Sequence, residues 1–391
     1  MPCTLDLLAR STLSCTNSTP PSPLFTTTVN PPVSIAELLP VELAAQLDAV
    51  DVISRKLLAG RLQGERRGKR RGRSVEFDDY REYVPGDDLR HIDWNVLARF
   101  DKFFIKLFQE EEDLSLDLLI DCSPSMHAGE PAKLLFAARL ACALGYLGLV
   151  HNNRVSVTCF GNAWPGSAAS IVATSANTSP PSRLAIKRLE PLRGRRNTQR
   201  LVQFILDQVF IPPAGVAATT ADVALDKAIR AVVSRPSGAK GVLVLISDML
   251  VPPVGKVPGY DAALRTLGAA CGGGVGRGGA TVDAYVIQTL APTELDPAGE
   301  SVSGEDTGAP NRTRNAQLLG DVRLTDAETG RAAELTVTPR LIATYRQAIS
   351  RYNQQLGVCC TARGVGFVSV PTDLEIASVV LGLLRRRGIV G

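Results

Sequence analysis

Residues 114–126 read LSLDLLIDCSPSM, and the end of this stretch carries one carboxylate and two hydroxyls at alternate positions, Asp121, Ser123 and Ser125. A turn here can aim three oxygens at one point. An all-oxygen donor set suits a hard divalent cation, Mg2+ first with Mn2+ or Ca2+ as substitutes, and suits neither zinc nor copper. A second apolar run, GVLVLISD over 241–248, also ends in a carboxylate, Asp248. Two strands that each end in Asp bring a pair of carboxylates to the crest of one sheet. The plainer reading of each acidic end is a turn that caps the following helix.

The elements around these residues must hold them in place. Residues 114–120 alternate and then run apolar, the pattern of a strand buried on both faces. Open α/β sheets place ligands at the carboxyl ends of such strands. Residues 132–150 are apolar on nearly every face, which predicts a helix enclosed by the sheet's layers. That helix is marginal in length for a bilayer and carries Arg139 near its middle, so no membrane span is expected. Strands are predicted at 154–160, 281–288 and 366–370. Helices are predicted at 198–209, from the ADVALDKAIRAVV run at 221–233, at 339–364 and at 374–387. Residues 320–337 alternate on either side of Glu328-Thr329-Gly330, a β-hairpin. The vicinal pair Cys359-Cys360 is read as helix packing. Alternating helices and apolar strands predict an α/β fold, a doubly wound, mostly parallel sheet with helices on both faces.

Three regions follow. Residues 1–34 are rich in Ser, Thr and Pro, lack the pattern of a secretory signal, and are expected to form a disordered tail. Residues 35–113 hold a helical segment, two short helices around Pro40, then a basic run (65–73) and a dense polar-aromatic stretch (76–94). Residues 114–391 form the α/β domain, with the hairpin near 320–337 inserted.

The chain has 391 residues, 45% of them hydrophobic and 21% charged, as in a soluble globular protein with ample core. A net charge of +4 gives no whole-molecule case for nucleic acid or an anionic membrane. The basic run 65–73 admits phosphate or nucleic-acid binding as one reading and a solvated loop paired with Glu110, Glu111, Glu112 and Asp113 as another. No aromatic residue interleaves it to stack on bases, and nucleic acid is not expected. Eight scattered Cys residues without Cys-x-x-Cys spacing suggest reduced thiols and a cytoplasmic setting. The Gly-x-Gly-x-x-Gly match at Gly274, Gly276 and Gly279 precedes a strand, the wrong order for a dinucleotide site, and no Gly-Lys-Ser/Thr phosphate loop exists. A Mg2+-dependent hydrolase or phosphoryl-transfer enzyme would need a base or nucleophile beside the ion. The turn lacks the second Asp of an Asp-x-Asp motif. His127 is the one imidazole near it in sequence, and it is read as a surface residue.

Asp121, Ser123 and Ser125 resemble the metal-ion-dependent adhesion site of von Willebrand factor A domains. The stretch RGRSVEFDDYREYVPGDDLRHIDWNVLARFDKFFIKLFQEEE, followed by the strand and Asp-x-Ser-x-Ser-Met, resembles the bacterial family catalogued as domain of unknown function 58, over about residues 58–387. That family is von Willebrand factor A-like and associated with MoxR-type AAA+ ATPases. The resemblance implies a hydroxyl ligand from a Gly-Thr-Asp motif and a final Asp acting through water. Asp248 fits the latter. The former falls at Thr219-Thr220-Ala221-Asp222, a departure of one residue, with Thr220 chosen and Thr219 an alternative. Asp222 is read as a helix cap or a group behind the ligands. The implied function is a non-enzymatic, metal-dependent protein-interaction module whose partners are a MoxR-type ATPase and client proteins.

Overall fold

A computed structural model describes residues 11–15, 34–48, 50, 52, 76–84, 92–100, 102–109, 114–129, 131–161, 186–210, 221–233, 241–253, 255–271, 282–297, 320–326 and 332–391. The chain divides into two compact units, 1–59 with 114–391, and 60–113.

The smaller unit contains β2 (Glu76–Glu82), α3 (Trp94–Phe100) and β3 (Phe104–Gln109). β2 and β3 pair antiparallel, with a bulge between Phe77 and Asp79. Asp93 is buried and does the work of an N-cap, its Oδ1 accepting from the amides of Asn95 (2.9 Å) and Val96 (3.4 Å). The Tyr80 hydroxyl donates to the other oxygen, Oδ2, at 3.0 Å. The turn at 85–88, with Asp87, Asp88, Arg90, His91 and the basic run, lies outside the described residues.

In the larger unit, β1 (Ser11–Cys15) comes first, then α1 (Ile35–Leu38) and α2 (Val41–Leu47) on either side of Pro40. The central chain follows as β4 (Ser115–Asp121), α4 (Lys133–Val150), β5 (Arg154–Phe160), β6 (Ile186–Leu192), α5 (Thr198–Val209), α6 (Ala221–Val233), β7 (Gly241–Ser247), α7 (Asp261–Cys271) and β8 (Val282–Leu290). A short helix α8 (Pro292–Leu295), the hairpin strands β9 (Gly320–Asp326) and β10 (Ala332–Val337), the long α9 (Pro339–Thr361) and β11 (Gly366–Pro371) complete it, with a π-helical segment at Ser378–Leu384.

Six strands form one sheet in the order β11-β8-β7-β4-β5-β6, parallel except for the edge strand β6. The expected mostly parallel α/β architecture is present. β6 carries no strand prediction, because its sequence IKRLEPL shows neither alternation nor an apolar run. Both faces of the sheet are covered, which explains the continuous apolar strands. Leu116, Leu118 and Ile120 pack with Val155, Val157, Val244 and Ile246 under α4 and α5. Leu119, Leu243 and Leu245 pack on the opposite face with Leu225 and Ile229 of α6 and Leu264 and Leu267 of α7.

α4 is long and apolar enough to cross a membrane, and 83% of that window is buried inside the protein. Its fit against the sheet depends on small residues. A methyl at Gly148 would lie 2.6 Å from Val155 Cγ2 and 3.1 Å from Leu116 Cδ2. Gly148→Ala is expected to cost about 1–3 kcal/mol by overpacking, read as a lower urea midpoint; an unchanged midpoint would mean that α4 can lift freely from the sheet.

The hairpin forms where the alternation predicts it. β9 and β10 pair antiparallel, and β9 pairs on its other side with β1. The N-terminal stretch expected to lack fixed structure thus supplies a strand, because β9 offers an open row of backbone donors and acceptors that STLSC can satisfy. Val322, Leu324 and Val337 close a small core with Ile342 of α9.

Candidate metal centre

The strand order decides where a site can be. From β4 the chain passes to β5 on one side, then returns to β7 on the other. The carboxyl ends of β4 and β7 therefore flank the point where the winding reverses, the crevice in which open α/β sheets bind ligands. Ile120 is in register with Ile246, so Asp121 and Ser247 stand side by side at the crest, with Asp248 one residue beyond.

Asp121 is buried, and its carboxylate is held from two directions. Oδ1 accepts the Ser123 amide at 3.0 Å, and Oδ2 accepts the Ser247 hydroxyl at 2.6 Å. Gly161 at the end of β5 closes in behind, at φ +89°, and a Cβ there would come within 3.0 Å of Asp121 Oδ1 and of the Ser123 amide nitrogen. Pro124–His127 form one turn of 3-10 helix, which turns Ser123 and Ser125 to the same side. Their buried hydroxyls share a hydrogen bond, with the oxygens 3.0 Å apart. Burial, and then the nearby charge of Asp248, push the Asp121 carboxyl up to about 6.

These residues fit a small hard cation. Octahedral Mg2+ bonds oxygen at about 2.1 Å, so neighbouring ligands stand about 3.0 Å apart, which is the spacing of the two serine hydroxyls. A carboxylate has roughly four acceptor positions, so the two contacts above do not exhaust those of Asp121. Among the described residues no group of three or more His, Cys, Asp or Glu is placed to hold a metal. An ion at this crest would be held largely by hydroxyls, a donor set unlike the imidazoles and thiolates of a zinc centre.

Of the five residues singled out, the structure brings Asp121, Ser123, Ser125 and Asp248 to one crest. Thr220, with Thr219, lies outside the described residues; Asp222 is the second residue of α6. Asp248 has a partner that sequence reasoning missed. Lys133, the first residue of α4, is fully buried, and its ammonium lies 2.9 Å from Asp248 Oδ2 and 2.5 Å from Glu294 Oε1. Asp248 Oδ1 accepts the Leu250 amide at 3.1 Å, and Glu294 Oε2 accepts the Ala291 amide at 2.8 Å. Burial works to lower the Lys133 pKa, but the charges of Asp248 and Glu294 outweigh it and leave it raised. Burial raises Glu294 against the pull of Lys133. A lysine opening an apolar helix reads as an exposed end, and its partners lie 115 and 161 residues away in sequence.

His127 is also not the surface residue expected. It is half-buried, its Nε2 has no hydrogen-bond partner among the described residues, and burial lowers its pKa.

Residues 79–170 match the family described as protein of unknown function DUF58. The DUF58 match takes in Asp93, the Asp121–Ser125 turn and Lys133, and stops before Asp248 and Glu294. Over 349 residues the chain is 27% identical to the uncharacterized protein Rv1480 of Mycobacterium tuberculosis, spanning 88% of this chain and 90% of that one. Among solved structures, BatB, a conserved hypothetical protein from Bacteroides thetaiotaomicron, shares 14% identity over 70% of this chain and 98% of its own, with a TM-score of 0.32. An aerotolerance-related membrane protein from Bacteroides fragilis shares 14% over the same proportions, with a TM-score of 0.33.

Proposed function

We propose that this protein is a non-enzymatic protein-interaction module of the von Willebrand factor A type, whose binding depends on Mg2+, with Mn2+ or Ca2+ able to substitute. The observation that carries the reading is the buried Ser123–Ser125 hydroxyl pair, at octahedral spacing beside Asp121, in the crevice where the sheet's winding reverses. An ion held mostly by neutral hydroxyls keeps much of its positive charge. It can then take a carboxylate from another protein as a further ligand, so the contact between proteins is strong only when the ion is present. The partner that the family resemblance supplies is a MoxR-type AAA+ ATPase, in a chaperone-like role toward client proteins. Cys122, Cys142, Cys159, Cys271, Cys359 and Cys360 are free thiols, all but Cys359 buried, which favours a reducing, cytoplasmic setting.

The test is thermal unfolding with and without MgCl2, followed by a pull-down of a MoxR-type ATPase with and without EDTA. At a hundred times its Kd the ion should stabilise the folded protein by about 2.7 kcal/mol. Asp121→Ala should remove that stabilisation and the EDTA-sensitive capture together. Mg2+ stabilisation that persists in Asp121→Ala would sink the site, and EDTA-insensitive capture would sink the metal-dependent contact.

A Mg2+-dependent hydrolase is a second reading, favoured by one observation, the buried His127 Nε2, which has no hydrogen-bond partner among the described residues and which burial keeps neutral at pH 7. Turnover of a generic phosphatase substrate that His127→Gln abolishes would select it.

A further inference from the structure

A fully buried lysine between two carboxylates, at the rim of a site meant for a divalent cation, calls for a role. Lys133 gives its ammonium to Asp248 and Glu294, while backbone amides of Leu250 and Ala291 take the opposite oxygens of the same two carboxylates. The main chain at Asp248 is pinned as well. Its carbonyl accepts from buried Gln288 at 3.1 Å, and the next residue, Met249, stands at φ +55°, with its amide bonded to Ser247 Oγ and its carbonyl to the Tyr352 hydroxyl. Asp248 can turn toward an ion at Asp121 only by giving up a charged hydrogen bond in a dry interior, where an unpaired charge is poorly tolerated.

We propose that Lys133 is a resident counter-cation that holds Asp248 away from the incoming ion, so that Asp121 is the one full carboxylate in contact with it. This inference rests on the metal-dependent reading above and adds what sets the charge of that site. Lys133, Asp248 and Glu294 together carry one negative charge instead of the two of the carboxylates alone. Fewer anionic ligands make a hard-cation site weaker and its ion more exposed to an outside acid. Loading of the ion and docking of a partner carboxylate then reinforce each other, each raising the affinity for the other by the same factor. Glu294, on α8, acts as the second arm that keeps the ammonium in place when Asp248 alone would not.

Two charge-neutral double variants separate this from the alternative, with MgCl2 binding to the full chain followed by titration calorimetry and folding checked by circular dichroism. Lys133→Met with Asp248→Asn removes a positive and a negative charge together. Mg2+ affinity should stay within about fivefold of wild type, because Asp248 is not a ligand. Lys133→Met with Glu294→Gln also keeps the net charge but frees Asp248 to reach the ion, and affinity should rise about tenfold. Loss of binding in the first pair to the level of Asp121→Ala, or no gain in the second, would overturn the role given to Lys133. If one pair fails to fold, the other decides. Absence of Asp121-dependent Mg2+ binding in the wild type is a different result, and it would overturn the metal reading itself.

Discussion

Replacing Lys133 alone with methionine is expected to destabilise the protein by about 3–5 kcal/mol, the cost of breaking a buried ion pair from one side. Methionine matches the length and volume of the lysine stem, so packing under α4 is conserved and the loss reports charge. Two carboxylates, Asp248 and Glu294, would remain in a dry site with no cation between them. Each would then resist ionisation, and the Glu294 carboxyl, already raised by burial, would be pushed higher still once the pull of Lys133 is gone. A carboxyl with a raised folded pKa costs stability above that pKa and nothing below its unfolded pKa. The deficit of Lys133→Met should therefore be largest at pH 7 to 8 and shrink as the pH falls toward 4. Urea unfolding at pH 7.5 and pH 4.5 measures both. A deficit under about 1 kcal/mol at pH 7.5 would mean that water reaches the pair and screens it.

Asp121→Asn should have the opposite sign. The Asp121 carboxyl sits at about 6 in the folded protein against 3.8 for the free side chain, raised by burial and by Asp248. Its folded pKa lies above the unfolded one, so ionisation works against folding: the cost is absent below about pH 4, grows through pH 4–6, and is full above 6. A shift of this size corresponds to about 3 kcal/mol at neutral pH, from which the amide subtracts because it gives up one acceptor. Metal-free Asp121→Asn is expected to be more stable than wild type by about 1–3 kcal/mol at pH 7.5, with the gain gone near pH 4. Urea midpoints in EDTA at the two pH values test this, and equal gains at both would remove the buried charge as the cause. Adding MgCl2 should reverse the order, because the ion stabilises the carboxylate that it binds and does nothing for the amide. A side chain that destabilises the empty fold and stabilises the ion-loaded one is the signature of a binding residue.

The small unit is explained by the same accounting of buried polar groups. Asp93 follows the Pro-Gly-Asp-Asp turn, in a stretch dense in charge, and caps the helix after it. In the structure it accepts hydrogen bonds from the Tyr80 hydroxyl and from two amides that begin α3, which uses it structurally.

Sequence alone determined the parts whose signal is local. The apolar runs of β4 and β7 are long because both faces of the sheet are covered, and each ends at an acidic residue, so the strand ends and the Asp-x-Ser-x-Ser turn could be read directly. The hairpin follows from alternation, and α5 and α6 follow from their helical spacing at the boundaries predicted. Tertiary structure decided what depends on neighbours distant in the chain. Strand order puts the turn at the reversal point, Ser247 becomes the donor to Asp121, and β6 and β1 become strands because an adjacent edge had unpaired backbone groups to satisfy. Lys133 is the sharpest case. At the head of an apolar helix it carries no mark of burial, since a lysine is buried only when carboxylates meet it there, and those come from residues 248 and 294, which only the folded sheet brings to its side.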